Sequence, residues 1–134
     1  MMLNMKTLAL CLLASLFIKP ALAQDAGWTL LAKDGDQSLY LQSNSVKAGD
    51  NGDVLATTTM NYTAKSGNYQ SMLSVHRINC QRRQSRYEMS SLHKLHFAAG
   101  ALITDGVIGV DGDEWTAGGA NSFTRALITK ICSK

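Results

Sequence analysis

Along the first two thirds of the chain, short runs of apolar and β-branched residues are interrupted by clusters of Gly, Asp, Asn and Ser, a punctuation that predicts strands joined by turns. "GWTLLAK" (27–33) and "SLYLQ" (38–42) flank "DGDQ" (34–37) and read as a hairpin. "KAGDNGD" (47–53) is a second turn cluster, and it leads into "VLATTTMNY" (54–62), whose β-branched content predicts a strand. With "TAKSGNYQ" (63–70) taken as a connection, "SMLSVHRINC" (71–80) is a further strand, because its apolar residues lack a helical period.

"SRYEMSSLHKLHF" (85–97) alternates along its whole length. Tyr87, Met89, Ser91, His93, Leu95 and Phe97 fall on one face, with Arg86, Glu88, Ser90, Leu92, Lys94 and His96 on the other. The first face is the more apolar and is expected to meet the core. In "ALITDGVIGVDGDEW" (101–115), Asp105-Gly106 between apolar runs strongly signals a hairpin turn, and the alternative is a mobile flap, since glycines interrupt the region at 100, 106, 109 and 112. Only the end of the chain changes period: Ser122 is the expected N-cap, and Phe123, Leu127, Ile128 and Ile131 recur at helical spacing. The predicted fold is therefore α+β, an antiparallel sheet of about six strands with a C-terminal helix packed across it.

The N-terminus changes the picture of where this fold works. Met1 to Lys6 carries one positive charge, "TLALCLLASLFI" (7–18) is an apolar run of signal-peptide length, and "ALAQ" places small residues at Ala21 and Ala23. Residues 1–23 are expected to be a cleaved signal peptide and 24–134 the mature domain, exported to the periplasm, the cell surface or the medium. Leu10 before Cys11 lacks the small side chain of a lipoprotein signal, and no run reaches the roughly 20 apolar residues of a transmembrane anchor. Losing Lys6 and Lys19 takes the basic count from 13 to 11 against 10 acids, which leaves little of the basic excess a nucleic-acid binder shows. Two cysteines remain, Cys80 and Cys132, and in an oxidising compartment an even pair predicts one disulfide. Closing so long a loop is worth roughly 4 kcal/mol on the chain-entropy model.

The spacing of several residues resembles the bacterial surface-adhesin protein E family. An early tryptophan, Trp28, precedes a "Y-x-x-x-x-S-hydrophobic" strand and turn at Tyr40, Ser45 and Val46. A strand then ends in "I-x-C-x-x-R-x-x-R" at Ile78, Cys80, Arg83 and Arg86, and Trp115, Ser122 and Cys132 close the pattern. Departures from the family pattern fall at Gln42 and Asn79, where acids are usual, and at Gly118, Gly119 and Ala120, which replace a proline-rich approach to the helix. The resemblance implies an antiparallel sheet with a helix across it, and an exported bacterial domain without catalytic activity. The family name further implies adhesion, here to a protein or glycan partner. A periplasmic accessory or structural role is the alternative.

Chemistry in the sequence is concentrated in "VHRINCQRRQSRYEMSSLHKLHF" (75–97), with all three histidines and four of the five arginines. His93 and His96 would point to opposite sides of a strand, and a zinc site needs three or four ligands, so no metal is expected and the histidines read as surface or half-buried. "DGVIGVDGDEWT" (105–116) puts valine and glycine at loop positions 3 and 5, where a calcium-binding EF-hand needs oxygen ligands. No G-x-S-x-G or H-E-x-x-H motif is present, so no catalytic residue and no cofactor are predicted. What remains is a basic cluster of Arg82, Arg83, Arg86 and Lys94, with Lys94 expected on the outward face of Arg86. It reads first as a solvated turn paired with acids such as Glu88, and otherwise as a patch able to fork onto carboxylates or sulfates of a glycan, an acidic protein segment or a lipid headgroup. The segment Ala98 to Val110 is expected to pack as core, or, if it projects, to offer an apolar surface for self-association.

Overall fold

The structure, a computed structural model, describes residues 27–66, 68–105 and 114–133. Eight strands form one antiparallel sheet: β1 (Trp28–Asp34), β2 (Gln37–Gln42), β3 (Lys47–Ala48), β4 (Val54–Ser66), β5 (Tyr69–Asn79), β6 (Gln84–His93), β7 (Leu102–Asp105) and β8 (Thr116–Ala117). The main path runs β1-β2-β4-β5-β6-β7, with the two-residue strands β3 and β8 paired to β4 and β6. One helix, α1 (Ser122–Cys132), follows. The α+β architecture, the six principal strands and the terminal helix are those the hydrophobic pattern predicts.

Alternation decides which face α1 covers. Leu39 and Leu41 of β2 lie opposite Met60 and Thr58 of β4, and Ala56 and Val54 lie opposite His76 and Ile78 of β5, so these residues share one side of the sheet. Leu39, Leu41, Ala56 and Ile78 are buried there against Leu127 and Ile128 of the helix. Asn121, one residue before the predicted Ser122, is the N-cap, and its side-chain oxygen accepts from the Thr124 N–H at 2.8 Å. That bond meets one of the otherwise orphaned first-turn donors.

The far end of α1 is joined to the sheet by the Cys80–Cys132 disulfide, which spans 52 positions with Cα atoms 5.4 Å apart. Cys80 directly follows β5, and Cys132 is the last helical residue. Among the described residues few apolar side chains are fully buried, so in a domain this small the link is expected to contribute a large share of the net stability.

Three local readings are corrected. Most of residues 63–70 are strand and not connection: β4 runs to Ser66, β5 begins at Tyr69, and these two residues pair. The alternating run 85–97 is not one strand, for β6 ends at His93 and His96 to Ala98 form a 3-10 turn. Within β6 the register shifts, since Val75 pairs with Met89 but His76 pairs with Tyr87, so Glu88 is an inserted bulge residue. A one-residue insertion reverses every side chain beyond it. Met89 is therefore exposed, and Leu92, which the unbroken alternation assigns to the outer face, is buried.

The other side of the sheet is partly covered by the turn after β6. Phe97 packs on Tyr40 and Trp28 with ring centroids 4.8 and 6.3 Å away. Phe97 and Ala98 both adopt left-handed backbone, at φ 56° and 57°, which costs a non-glycine residue energy. Buried polar groups offset that cost: Asn61 Oδ1 accepts from Phe97 N at 2.9 Å, and Ser71 Oγ accepts from Ala98 N at 3.0 Å while donating to the Leu95 carbonyl.

Replacing the cysteine pair with Cys80→Ala/Cys132→Ala is expected to lower unfolding free energy by about 2–5 kcal/mol. Denaturant titration of the variant against the oxidised parent checks this, and equal midpoints with equal slopes would refute the assigned role of the bond.

Candidate functional site

Two places concentrate polar chemistry. The first is the turn between β5 and β6, residues 80–83. The Arg82 amide donates to Asn79 Oδ1 at 2.9 Å, and the Arg83 carbonyl accepts from Gly118 N at 2.8 Å. Gly118 has a steric reason to lack a side chain, because a Cβ there would stand 3.1 Å from that carbonyl and 3.3 Å from Ile128. Asn79 and Gly118, both departures from the family pattern, thus brace this turn. Arg82 and Arg83 are exposed, Arg83 at φ 52°, and among the described residues no carboxylate pairs with either.

The four predicted basic residues do not form one patch. Arg86 lies on the sheet face opposite α1, where its guanidinium is 3.3 Å from Glu88 and 5.1 Å from the centre of the Trp115 ring. The same Glu88 accepts from Arg77 Nε, and Arg77 also lies 3.6 Å from Asp53. The Arg77 hydrogen bond is the chief reason the Glu88 carboxyl is held below the usual carboxylate range. Arg86 is therefore engaged within the sheet. Lys94 lies just beyond the far end of β6, on the order of 26 Å along the strand from Arg86, so the expected common surface is not formed. Only Arg82 and Arg83 stay together as an outward pair.

The histidines are also kept apart. His76 faces the helix, His93 bonds Ser91 at 2.9 Å on the opposite face, and His96 sits in the 3-10 turn with Nε2 2.8 Å from the Tyr62 carbonyl oxygen. Among the described residues no three potential ligands converge on a metal. His93 and His96 are half-buried, as read from the sequence, but His76 is only 6% exposed.

The second place was not singled out by sequence reasoning. Between α1 and the sheet lies a cavity of about 250 Å³ whose lining includes Thr58, Ser74, His76, Ser85, Tyr62 and Tyr87. Its signal in the sequence is a run of polar residues on the core side of strand alternations, at 74 and 76 in β5 and at 58 in β4. His76 Nε2 is 2.8 Å from Thr58 Oγ1, and its ring centre lies 4.7 Å from that of Tyr87. Burial pushes the His76 imidazole down to about 4, so it is neutral at pH 7. Burial pushes the Tyr87 hydroxyl up, and the same cause, reinforced by Tyr69 and Tyr87, takes Tyr62 up to about 12.

With this geometry established, comparison with known proteins identifies the class. The family model of surface-adhesin protein E matches residues 28–133, and the chain belongs to that family. The fold is also that of Haemophilus influenzae protein E, whose crystal form II aligns with a TM-score of 0.63 over 81% of this chain and 88% of that one, at 13% identity. A search of curated proteins finds no match.

Because the imidazole is pushed below its unfolded value of 6.5, its neutral form stabilises the fold fully above that pH. As pH falls from 6.5 towards 4, the unfolded chain takes up the proton first, and stability drops by up to about 3 kcal/mol. Thermal unfolding from pH 7 to 4.5 is expected to show a shallower loss in His76→Gln than in the parent; parallel curves would contradict the buried neutral state.

Proposed function

We propose that this chain is an exported, non-catalytic binding domain that contacts a protein or glycan partner through the Arg82 and Arg83 turn. Its membership of the surface-adhesin family supports an adhesive role, and the signal-like residues 1–23 support export. The observation that carries the choice of surface is Arg83 itself. A long charged residue holds a left-handed conformation that glycine adopts without strain, its neighbour Arg82 is equally exposed, and the turn is fixed by Asn79, Gly118 and the adjacent disulfide. Two guanidinium forks on a rigid turn suit carboxylate or sulfate groups, which accept paired N–H bonds.

A second contact surface is β7, which among the described residues lies at the edge of the sheet. Leu102 and Ile103 are exposed there, at 54% and 41%, rather than packed as core. An edge strand with outward apolar side chains favours pairing with another chain, which supports self-association through the segment Ala98 to Val110, of which 106–110 lie outside the described residues. The periplasmic accessory role is separated from adhesion by location alone.

Protease treatment of intact cells, with a known periplasmic protein as control, is expected to digest the native chain while sparing the control; equal protection of both would favour the periplasmic role. Arg83→Gly is expected to fold at least as stably as the parent, because it relieves the left-handed strain. Combined with Arg82→Ala it should weaken binding to a sulfated glycan such as heparin at least tenfold at physiological salt. Unchanged retention on that column would remove the turn from the binding surface.

A further inference from the structure

The side of the sheet beneath α1 changes character along its length. At the disulfide end it is an apolar cluster of Leu39, Leu41, Ala56 and Ile78 against Leu127 and Ile128. Towards the N-terminus of the helix the same side carries Thr58, Ser74, Ser85 and His76, from 1% to 6% exposed. A helix packed on a sheet ordinarily rests on apolar side chains, because a buried hydroxyl or imidazole costs free energy unless its hydrogen bonds are met. These residues surround the cavity of about 250 Å³, room for roughly eight waters at liquid density.

Among the described residues the lining carries no aspartate, glutamate, lysine or arginine, and the histidine there, His76, is neutral at pH 7. A charged guest would lose its hydration there without meeting a counter-charge. The rings of Tyr62, Tyr87 and Phe123 supply apolar faces, while hydroxyl and amide groups supply both donors and acceptors. At the mouth, Asn121 and Gln37 are exposed. The cap bond to Thr124 uses the Asn121 oxygen, so it does not occupy the two N–H donors of that amide. Deeper in, the His76 ring bonds Thr58 through Nε2, and its buried Nδ1 has no partner among the described residues.

We infer that this cavity is a second binding site, distinct from the arginine turn, for a small uncharged and polyhydroxylated ligand of the chemical class of a neutral monosaccharide. Aromatic faces with interleaved hydroxyl and amide groups match a sugar ring, whose C–H faces are apolar and whose edge both donates and accepts. The site is independent of whether the turn binds a partner, since the two lie on different parts of the fold and share no lining residue.

The test uses the mature, oxidised chain and three neutral probes, glucose, galactose and N-acetylglucosamine, with glucuronate and glucosamine as charged counterparts. At least one neutral probe is expected to give saturable NMR shifts at the His76 imidazole and the Tyr62 and Tyr87 rings, with at least tenfold weaker binding of the charged ones. Ser74→Leu, which fills the cavity, should abolish those shifts. Thr124→Leu narrows the mouth without touching the sheet and serves the same purpose should the first variant fail to fold. Absence of saturable shifts with all three neutral probes, equal binding of the charged counterparts, or binding that persists in a folded variant would each overturn the site.

Discussion

The joint between Cys80 and Cys132 ties the last residue of α1 to the residue directly after β5, and several features depend on it. A helix of eleven residues is short for independent stability, and only Leu127 and Ile128 of this one are fully buried on the sheet. Their contact with Leu39, Leu41, Ala56 and Ile78 is a compact apolar lock beside the covalent one. With one end held twice, the other end of the helix can stand over a polar part of the sheet, which is how the cavity persists. The same bond also braces the arginine turn, because Cys80 is the first residue of that turn.

A second constraint acts within β6. The inserted Glu88 lets Tyr87 point into the cavity wall beside His76 while Met89 points away, an arrangement that unbroken alternation cannot produce. Glu88 itself is used on the opposite side, where it accepts from Arg77 and Arg86. Arg86 is thereby engaged on that face by Glu88 and the Trp115 ring. One extra residue therefore shapes the cavity and also supplies the carboxylate that engages Arg77 and Arg86 on the opposite face.

What could be read from the sequence follows from which signals are local. Strand content, the turn clusters at 34–37 and 47–53, the helical period after Asn121 and the pairing of Cys80 with Cys132 each depend on neighbouring residues or on simple counting, and each is realised in the fold. The bulge is not local: nothing in "SRYEMSSLHKLHF" distinguishes an even strand from one that inserts Glu88, because the choice is made by the partner strand β5. The same holds for the 3-10 turn at Phe97, which depends on Asn61 and Ser71 presenting acceptors from β4 and β5. Ser74, His76 and Thr58 share the side of the sheet beneath α1, but only the position of the helix shows that they enclose space.

The residues that carry the family likeness are largely architectural. Trp28 and Tyr40 hold Phe97, Ser45 accepts from the Thr57 amide at 2.9 Å and so fastens the turn after β2 to β4, Ile78 is fully buried, and Cys80 and Cys132 form the joint. Residues with such duties hold the fold together without specifying what it binds. Any specificity peculiar to this chain has to come from side chains that these structural duties leave free. The outward arginine pair supplies fixed positive charge, and the uncharged cavity supplies neutral hydrogen-bonding groups beside aromatic faces. An anionic group suits the first and is excluded from the second by desolvation, so the two surfaces select opposite ligand chemistries on one stapled sheet.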